Sequence, residues 1–219
     1  MRASFWNNHY KDFRVREPSD FARRCAAHHL RKDDQLIELG CGNGRDGVMF
    51  AQQVARYTGI DACPIAIEAF SQGIAKIPAM SNVTLNCDDF TAINFDALAG
   101  APGRLAIYSR FTLHSISYAE SDRLFENLEK FSSTSWIFML EARTIYDELY
   151  GVGKNIGPHE FQTDHYRRFI DPAAFLEQLG AKFAIKYFEV SNGFARFADQ
   201  DPVLMRAVFC HKGVSLKAL

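Results

Sequence analysis

The chain has 219 residues, 47% hydrophobic and 23% charged, with 25 Lys and Arg against 26 Asp and Glu for a net charge of −1. One domain typically takes about 100–200 residues, with α/β domains running longer, and this composition excludes a disordered chain, a collagen-like repeat and a coiled coil. The balanced charge exerts no global pull toward nucleic acid or an anionic membrane, so neither is expected as a partner.

The N-terminal 32 residues are locally basic, with eight Lys and Arg against three acids. Asn7, Asn8, His9 and Lys11 stand where a signal peptide would have its apolar stretch. Pro18 can open a helix, because it sets φ and has no N–H to lose. Phe21, Cys25, His28 and His29 then recur at helical spacing. This segment reads either as an amphipathic helix with a solvated basic face or as a cap over a bound anionic ligand. Beyond it, strands are predicted at Gln35–Leu39, Tyr57–Ile60, Val83–Asn86, Leu105–Tyr108 and Trp136–Glu141. Helices are predicted at Asp46–Val54, Pro64–Ile74 and Ala119–Phe131. Such alternation implies βαβ units and a parallel sheet covered on both faces.

Residues 142–170 break the rhythm, being polar, rich in Gly and Tyr, and without a long apolar run. A helix from Pro172 to Leu179 precedes two strand-like runs, Phe183–Val190 and Val203–Cys210, with only a loop over 191–202 between them. A parallel crossover needs about a dozen residues, usually helical, so these two strands are expected to pair antiparallel. The longest apolar run, Trp136–Leu140, is far short of the ~20 residues that span a bilayer. The five cysteines are odd in number and never form C-x-x-C. That argues against disulfides and zinc, and for a reducing, cytoplasmic location.

The densest signal is Leu36-Ile37-Glu38-Leu39-Gly40-Cys41-Gly42-Asn43-Gly44, a strand ending in three alternating glycines before a helix. Glycines permit a tight turn and a close ligand approach that a Cβ would block, and the following N–H groups can face a polar ligand. Glu38 stands where its carboxylate can meet a cationic ligand. Asp61, about 20 residues on at the end of the second strand, is where an acid can hold both hydroxyls of a ribose. Gly42-x-Gly44-x-x-Gly47 also satisfies the dinucleotide fingerprint, which leaves an NAD(P)-dependent oxidoreductase as an alternative.

The Glu-x-Gly-x-Gly-x-Gly pattern resembles motif I of the class I S-adenosylmethionine-dependent methyltransferases, and further segments agree in order. Tyr57-Thr58-Gly59-Ile60-Asp61 resembles the acidic second strand, which implies Ala62 and Cys63 beside the adenosine. Asn86-Cys87-Asp88-Asp89-Phe90 resembles the adenine-binding segment; one of the two aspartates then binds the amino group, the other caps a turn, and Phe90 packs on the ring. Tyr108-Ser109-Arg110-Phe111-Thr112-Leu113-His114 resembles the fourth-strand exit that faces the methyl group. The resemblance implies a doubly wound, Rossmann-like seven-stranded α/β sheet, mostly parallel, with an antiparallel C-terminal hairpin. Within one domain it divides the chain into a helical cap (1–33), a cofactor core (34–141), an acceptor-side insert (142–170) and a C-terminal helix and hairpin (171–219).

S-adenosylmethionine is the implied cofactor, held by Trp6, Glu38, Gly40, Cys41, Gly42, Gly44, Asp61, Ala62, Cys63, Asp88, Asp89, Phe90 and Ser109. The Asp/Asn-Pro-Pro-Tyr/Phe motif of amino-methylating nucleic-acid enzymes is missing, as is a set of hard oxygen ligands for Mg²⁺, so no metal is expected. Arg110, His114 and His165 are the candidate catalytic groups. Arg110 suits an anionic acceptor or the methionine carboxylate, and a neutral imidazole can act as general base. Arg143, Tyr146, Tyr166 and Arg167 are expected to grip the acceptor. With Phe5-Trp6-Asn7-Asn8-His9-Tyr10 and Arg167-Arg168-Phe169-Ile170, the pattern looks like small stand-alone bacterial methyltransferases. That implies an oxygen or nitrogen acceptor in a small polar molecule, anionic or glycan-linked, and a monomer or homodimer. A non-catalytic S-adenosylmethionine-binding scaffold or sensor is the other reading.

Overall fold

The apolar runs become the middle of one sheet because their alternate side chains serve two different cores. The computed structural model describes residues 2–12, 17–77, 80–99, 103–196 and 200–213, with the side chains of 2–4 and 12 excepted. Arg14, Arg16 and, within the expected loop, Asp199 therefore lie outside the described residues. The first half holds helices Arg2–Asp12 (α1) and Asp20–His28 (α2), then Gln35–Leu39 (β1), Gly47–Ala51 (α3), Arg56–Asp61 (β2), Pro64–Ile74 (α4), Val83–Cys87 (β3) and Phe95–Leu98 (α5). Leu105–Arg110 (β4), Tyr118–Glu129 (α6) and Trp136–Arg143 (β5) follow. The last third holds Lys154–Gly157 (β6), Glu160–Gln162 (β7), Tyr166–Arg168 (β8), Pro172–Lys182 (α7), Ala184–Ser191 (β9) and Leu204–Cys210 (β10).

Seven strands form the main sheet in the order β3-β2-β1-β4-β5-β10-β9. The first five are parallel, and β10 runs antiparallel between β5 and β9. This is the doubly wound, Rossmann-like sheet with an antiparallel C-terminal hairpin. On one face Ile37, Ile107, Phe138 and Phe209 pack with Leu124, Phe125 and Leu128 of α6 and Phe175 and Leu179 of α7. On the other, Leu36, Ala106, Tyr108 and Met139 pack with Phe21 and Cys25 of α2, Phe50 of α3 and Phe70 of α4. Burial on both faces is why these strands read as continuous apolar runs.

Local signals account for most helix starts. Ser19, just after Pro18, caps α2 by accepting from the N–H of Ala22, so the helix begins two residues beyond the proline. Ser117 and Glu120 form a capping box that opens α6. Asp171 caps α7, with Pro172 in its first turn. The helix expected over Asp46–Val54 is helical only from Gly47 to Ala51. The larger departure lies in 142–170, where no strand was expected. Strands β6, β7 and β8 form a separate antiparallel three-stranded sheet there. Its strands are only three or four residues long, too short to show a period. Its own small core is Tyr150, Phe161 and Phe169 in edge-to-face contact.

Candidate active site

The carboxyl ends of β1 to β5 lie along one edge of the sheet, the binding edge of an open α/β fold. Gly40, Gly42 and Gly44 all have positive φ, at 70°, 54° and 86°. Space differs between them: a Cβ on Gly44 would run into the ring of Phe70, whereas one on Gly42 would lie 2.5 Å from the hydroxyl of Tyr10. Asp61 ties this loop to the next. Its Oδ2 accepts from the N–H of Gly42 at 2.9 Å and its Oδ1 from the N–H of Cys63 at 2.8 Å. Burial pushes its pKa up while both backbone donors pull it down. Cys41 and Cys63 are buried beside it, and Ala62 is exposed.

Asp88 and Asp89 divide their work. Asp89 accepts from the N–H and hydroxyl of Thr91 and pairs with Arg123, so it is the turn cap. Asp88 accepts from the neighbouring N–H of Asp89, its one side-chain hydrogen bond among the described residues, and is exposed. Phe90 is partly buried against the core.

Two expectations are corrected by the structure. Glu38 does not present its carboxylate to a ligand: it is buried, and its Oε2 accepts from the hydroxyl of Tyr57 at 2.5 Å. It shares the sheet face of Leu36, where burial raises its pKa well above the carboxylate range. Arg110 is the last residue of β4 rather than part of its exit loop, and it is not free for an anion. Its Nε donates to Glu141 Oε1 at 2.9 Å, while Glu141 Oε2 accepts from Arg206 at 2.8 Å. Ser109 is likewise fully buried and bonded to Thr112.

Beyond β4 the chain turns sharply. Phe111 has φ of 58°, unusual for a residue with a Cβ. The guanidinium carbons of Arg110 and Arg143 lie 4.1 and 5.6 Å from the centre of its ring. His114 follows in a 3₁₀ turn, buried, its Nδ1 without a hydrogen-bond partner. Burial and the nearby Arg143, Arg167, His165 and Arg110 hold it far below the ordinary histidine pKa.

The insert folds over this exit. Arg168 Nη2 donates to the carbonyl of Leu113 at 3.1 Å, and the hydroxyl of Tyr118 donates to the carbonyl of Pro158 at 3.1 Å. His165 Nδ1 lies 2.7 Å from Asp164 Oδ1. The Thr163 hydroxyl donates to the same oxygen at 2.8 Å and accepts from Arg167 Nη1 at 2.9 Å. The Thr163 hydrogen bond, ahead of the contacts from His165 and Arg167, holds Asp164 below its usual pKa. An ionised carboxylate only accepts, so His165 donates from Nδ1 and keeps its Nε2 lone pair. Burial and Arg167 lower the pKa of His165, against the opposing pull of Asp164. Of the other acceptor candidates, Arg143 is held by both oxygens of Asp147, Tyr166 bonds Glu160, and Tyr146 is exposed.

Helix α1 joins the two sides. Phe5 stacks on His165 at 4.0 Å, Asn7 accepts from the Cys63 thiol at 3.1 Å, and the Tyr10 hydroxyl lies over Gly42. Trp6 is 6.1 Å from both Tyr10 and His165, ring to ring. Phe5, Tyr10, Phe111, Thr163 and Asp164 were not among the expected site residues. Phe5 and Tyr10 lay within the stretch Phe5–Tyr10, Phe111 within the fourth-strand exit and Asp164 at the head of the run to Ile170, but no spacing linked these segments, and Thr163 carried no signal. Among the described residues, no group of three or more His, Cys, Asp or Glu is arranged to hold a metal ion.

Residues 36–132 match the methyltransferase domain family. The matched segment runs from β1 to just beyond α6 and is identified as a methyltransferase domain. The chain's sheet order and glycine loop give it the fold of S-adenosylmethionine-dependent methyltransferases of known structure. No curated sequence relative matches the chain. Among solved structures, the chain is similar to a SAM-dependent methyltransferase from Anabaena variabilis, with 17% identity over 96% of this chain and 93% of that one and a TM-score of 0.68. A SAM-dependent methyltransferase from Clostridium acetobutylicum shares 13% identity over 96% and 98%, with a TM-score of 0.65. The glycopeptide N-methyltransferase MtfA complexed with S-adenosylmethionine shares 17% identity over 87% and 93%, with a TM-score of 0.64. The glycine loop and Asp61 fit such a cofactor in residue type, with three glycines at positive φ beside a carboxylate, and the Tyr10 hydroxyl of α1 lies over Gly42.

Proposed function

We propose that this methyltransferase acts on oxygen or nitrogen of a small polar acceptor, anionic or glycan-linked, without a metal, and that His165 is its general base. The observation that carries the reading is the Asp164–His165 pair on the insert, joined to the glycine loop by α1 through Phe5 and Tyr10. S-adenosylmethionine supplies an electrophilic methyl group; a new bond from the acceptor forms as the carbon–sulfur bond breaks, and that electron pair passes to sulfur. His165 Nε2 takes the proton lost by the acceptor's O–H or N–H, and Asp164 meets the charge that develops on the imidazole. His114 has no such partner. A cation formed there would be buried among Arg110, Arg143 and Arg167, which disfavours it as the base.

On this reading Gly40, Gly42, Gly44, Cys41, Ala62 and Cys63 line the cofactor, Asp61 takes the ribose, and Asp88 with Phe90 takes the adenine. Helices α1 and α2 form the cap, and 142–170 forms the acceptor wall. The similarity to a glycopeptide N-methyltransferase keeps nitrogen within the range of acceptors. A small molecule rather than nucleic acid is the partner, the cytoplasm the location, and a monomer or homodimer the assembly. Calorimetry should show S-adenosylhomocysteine binding in the micromolar range. Assays with a panel of small anionic hydroxyl and amine compounds should show S-adenosylhomocysteine release that depends on the acceptor. Binding of NAD(P) in place of S-adenosylhomocysteine would overturn the reading.

A further inference from the structure

Five arginines crowd the acceptor side, and four of them are engaged. Arg110 and Arg206 share Glu141, Arg143 is held by both oxygens of Asp147, and Arg168 is buried over the ring of Tyr118 with a bond to the carbonyl of Leu113. Arg167 differs. It is half-buried, its one hydrogen bond is to the Thr163 hydroxyl, and among the described residues no carboxylate lies within ion-pair distance of it. The nearest acid in the chain of bonds, Asp164, is already taken by His165 and Thr163.

A partly desolvated guanidinium with no carboxylate in contact is costly, and an anion arriving from outside can offset that cost. Desolvation is the main reason that Arg167 has a lowered pKa; Asp164 and, less, Asp147 oppose it through space, and Arg143 adds to it. A second group points the same way. His114, buried within the field of Arg143, Arg167 and His165, keeps an Nδ1 with no hydrogen-bond partner among the described residues. A planar guanidinium offers two parallel donors to a carboxylate or phosphate.

We propose that Arg167, with the unpartnered Nδ1 edge of His114, is a preformed anion subsite that selects acceptors bearing a carboxylate or phosphate group. This rests on the methyl-transfer reading and deepens it: the charge of the acceptor is read by Arg167, not by Arg110 or Arg143, and the same group places the nucleophile beside His165.

The test uses the full chain and inorganic anions at constant ionic strength set with chloride. Phosphate should raise the melting temperature of the wild type saturably, and Arg167→Gln should reduce the apparent phosphate affinity at least tenfold. In chloride alone Arg167→Gln should melt no lower than the wild type, because it removes a charge that has no carboxylate partner. Acetate in a parallel arm separates a carboxylate site from a phosphate site according to which anion binds more tightly. An equal phosphate and acetate response in Arg167→Gln, or no response to either anion in the wild type, overturns the proposal. Should Arg167→Gln fail to fold by circular dichroism, Arg167→Lys keeps the charge but loses the fork. It should weaken phosphate at least threefold, and an unchanged response would equally overturn the proposal. S-adenosylhomocysteine titrated into the same proteins should bind each alike. Its failure to bind even the wild type would count against the methyl-transfer reading and leave the anion result standing on its own.

Discussion

The two sides of the cleft are built from opposite chemistry. Around the ends of β1 to β3 the side chains are acidic or small, with Glu38, Asp46, Asp61, Asp88, Cys41 and Cys63 beside three glycines. Around the ends of β4 and β5 and over the insert they are cationic and aromatic, with Arg110, Arg143, Arg167, His114, His165 and Phe111. On the proposed function, a cofactor that carries a sulfonium would suit the first side and an anionic acceptor the second. The sides also differ in how they are held. The first rests on backbone conformation and one bridging carboxylate, the second on ion pairs and hydrogen bonds between elements far apart in the chain. Variants on the first should therefore act on cofactor affinity, and variants on the second on turnover.

The largest expected effect is from Gly42→Val. Its Cβ would need a φ of 54° and would lie 2.5 Å from the Tyr10 hydroxyl, so S-adenosylhomocysteine binding should be lost by calorimetry. Normal binding by a folded variant would show that the loop is not the cofactor site. His165→Ala, on the other side, should cut turnover by ~10²–10⁴ while S-adenosylhomocysteine affinity stays within a fewfold of the wild type. His114→Ala in the same two assays ranks the rival histidine, and an equal loss in both would blur the comparison. Asp61→Ala should weaken S-adenosylhomocysteine about ten- to a hundredfold, from charge-assisted hydrogen bonds worth ~1.5–3 kcal/mol. Part of that loss is indirect, because Asp61 also anchors the N–H groups of Gly42 and Cys63.

The smallest effect is on stability. His114 is held neutral, so its pKa in the folded chain lies below that in the unfolded chain. As pH falls below about 6.5, the unfolded chain takes up a proton that the folded one refuses. This group alone should then lower stability by up to ~1.4 kcal/mol per pH unit, until folded His114 itself titrates. His29 and His165, also lowered, act in the same direction. Denaturant melts between pH 7 and 5 should therefore show a shallower acid slope in His114→Asn than in the wild type, by one proton. An unchanged slope would mean that His114 is not buried as described.

Legibility in the sequence followed the same division. The glycine loop, Asp61 and the ordered strand motifs were readable because the residues that make the first side lie within a few positions of a strand end. Glu38 was misplaced because a strand's period tells which residues share a face but not which face meets the ligand. Arg110 was misplaced because its partner, Glu141, is the residue facing it across the β4–β5 register, a pairing set by sheet order. The three short strands of the insert had no readable period at all. His165 and Arg167 were picked out by residue type within the run from Asp164, but the roles of Asp164 and Thr163, which decide what those two can do, were not readable.

What the sequence alone determined is the class of fold and the place of the glycine loop. Buried parallel strands need continuous apolar runs, and a tight, ligand-accessible turn needs glycine; both are local requirements that leave local marks. What only the tertiary structure decided is which charges are available. Glu38 is closed off by Tyr57, Arg110 by Glu141 and Arg143 by Asp147, while Arg167 is left with a hydroxyl. The availability of a charge depends on the groups that folding brings within about 3–4 Å of it, and for Arg110 and Glu38 those groups lie 19 or more residues away in the chain.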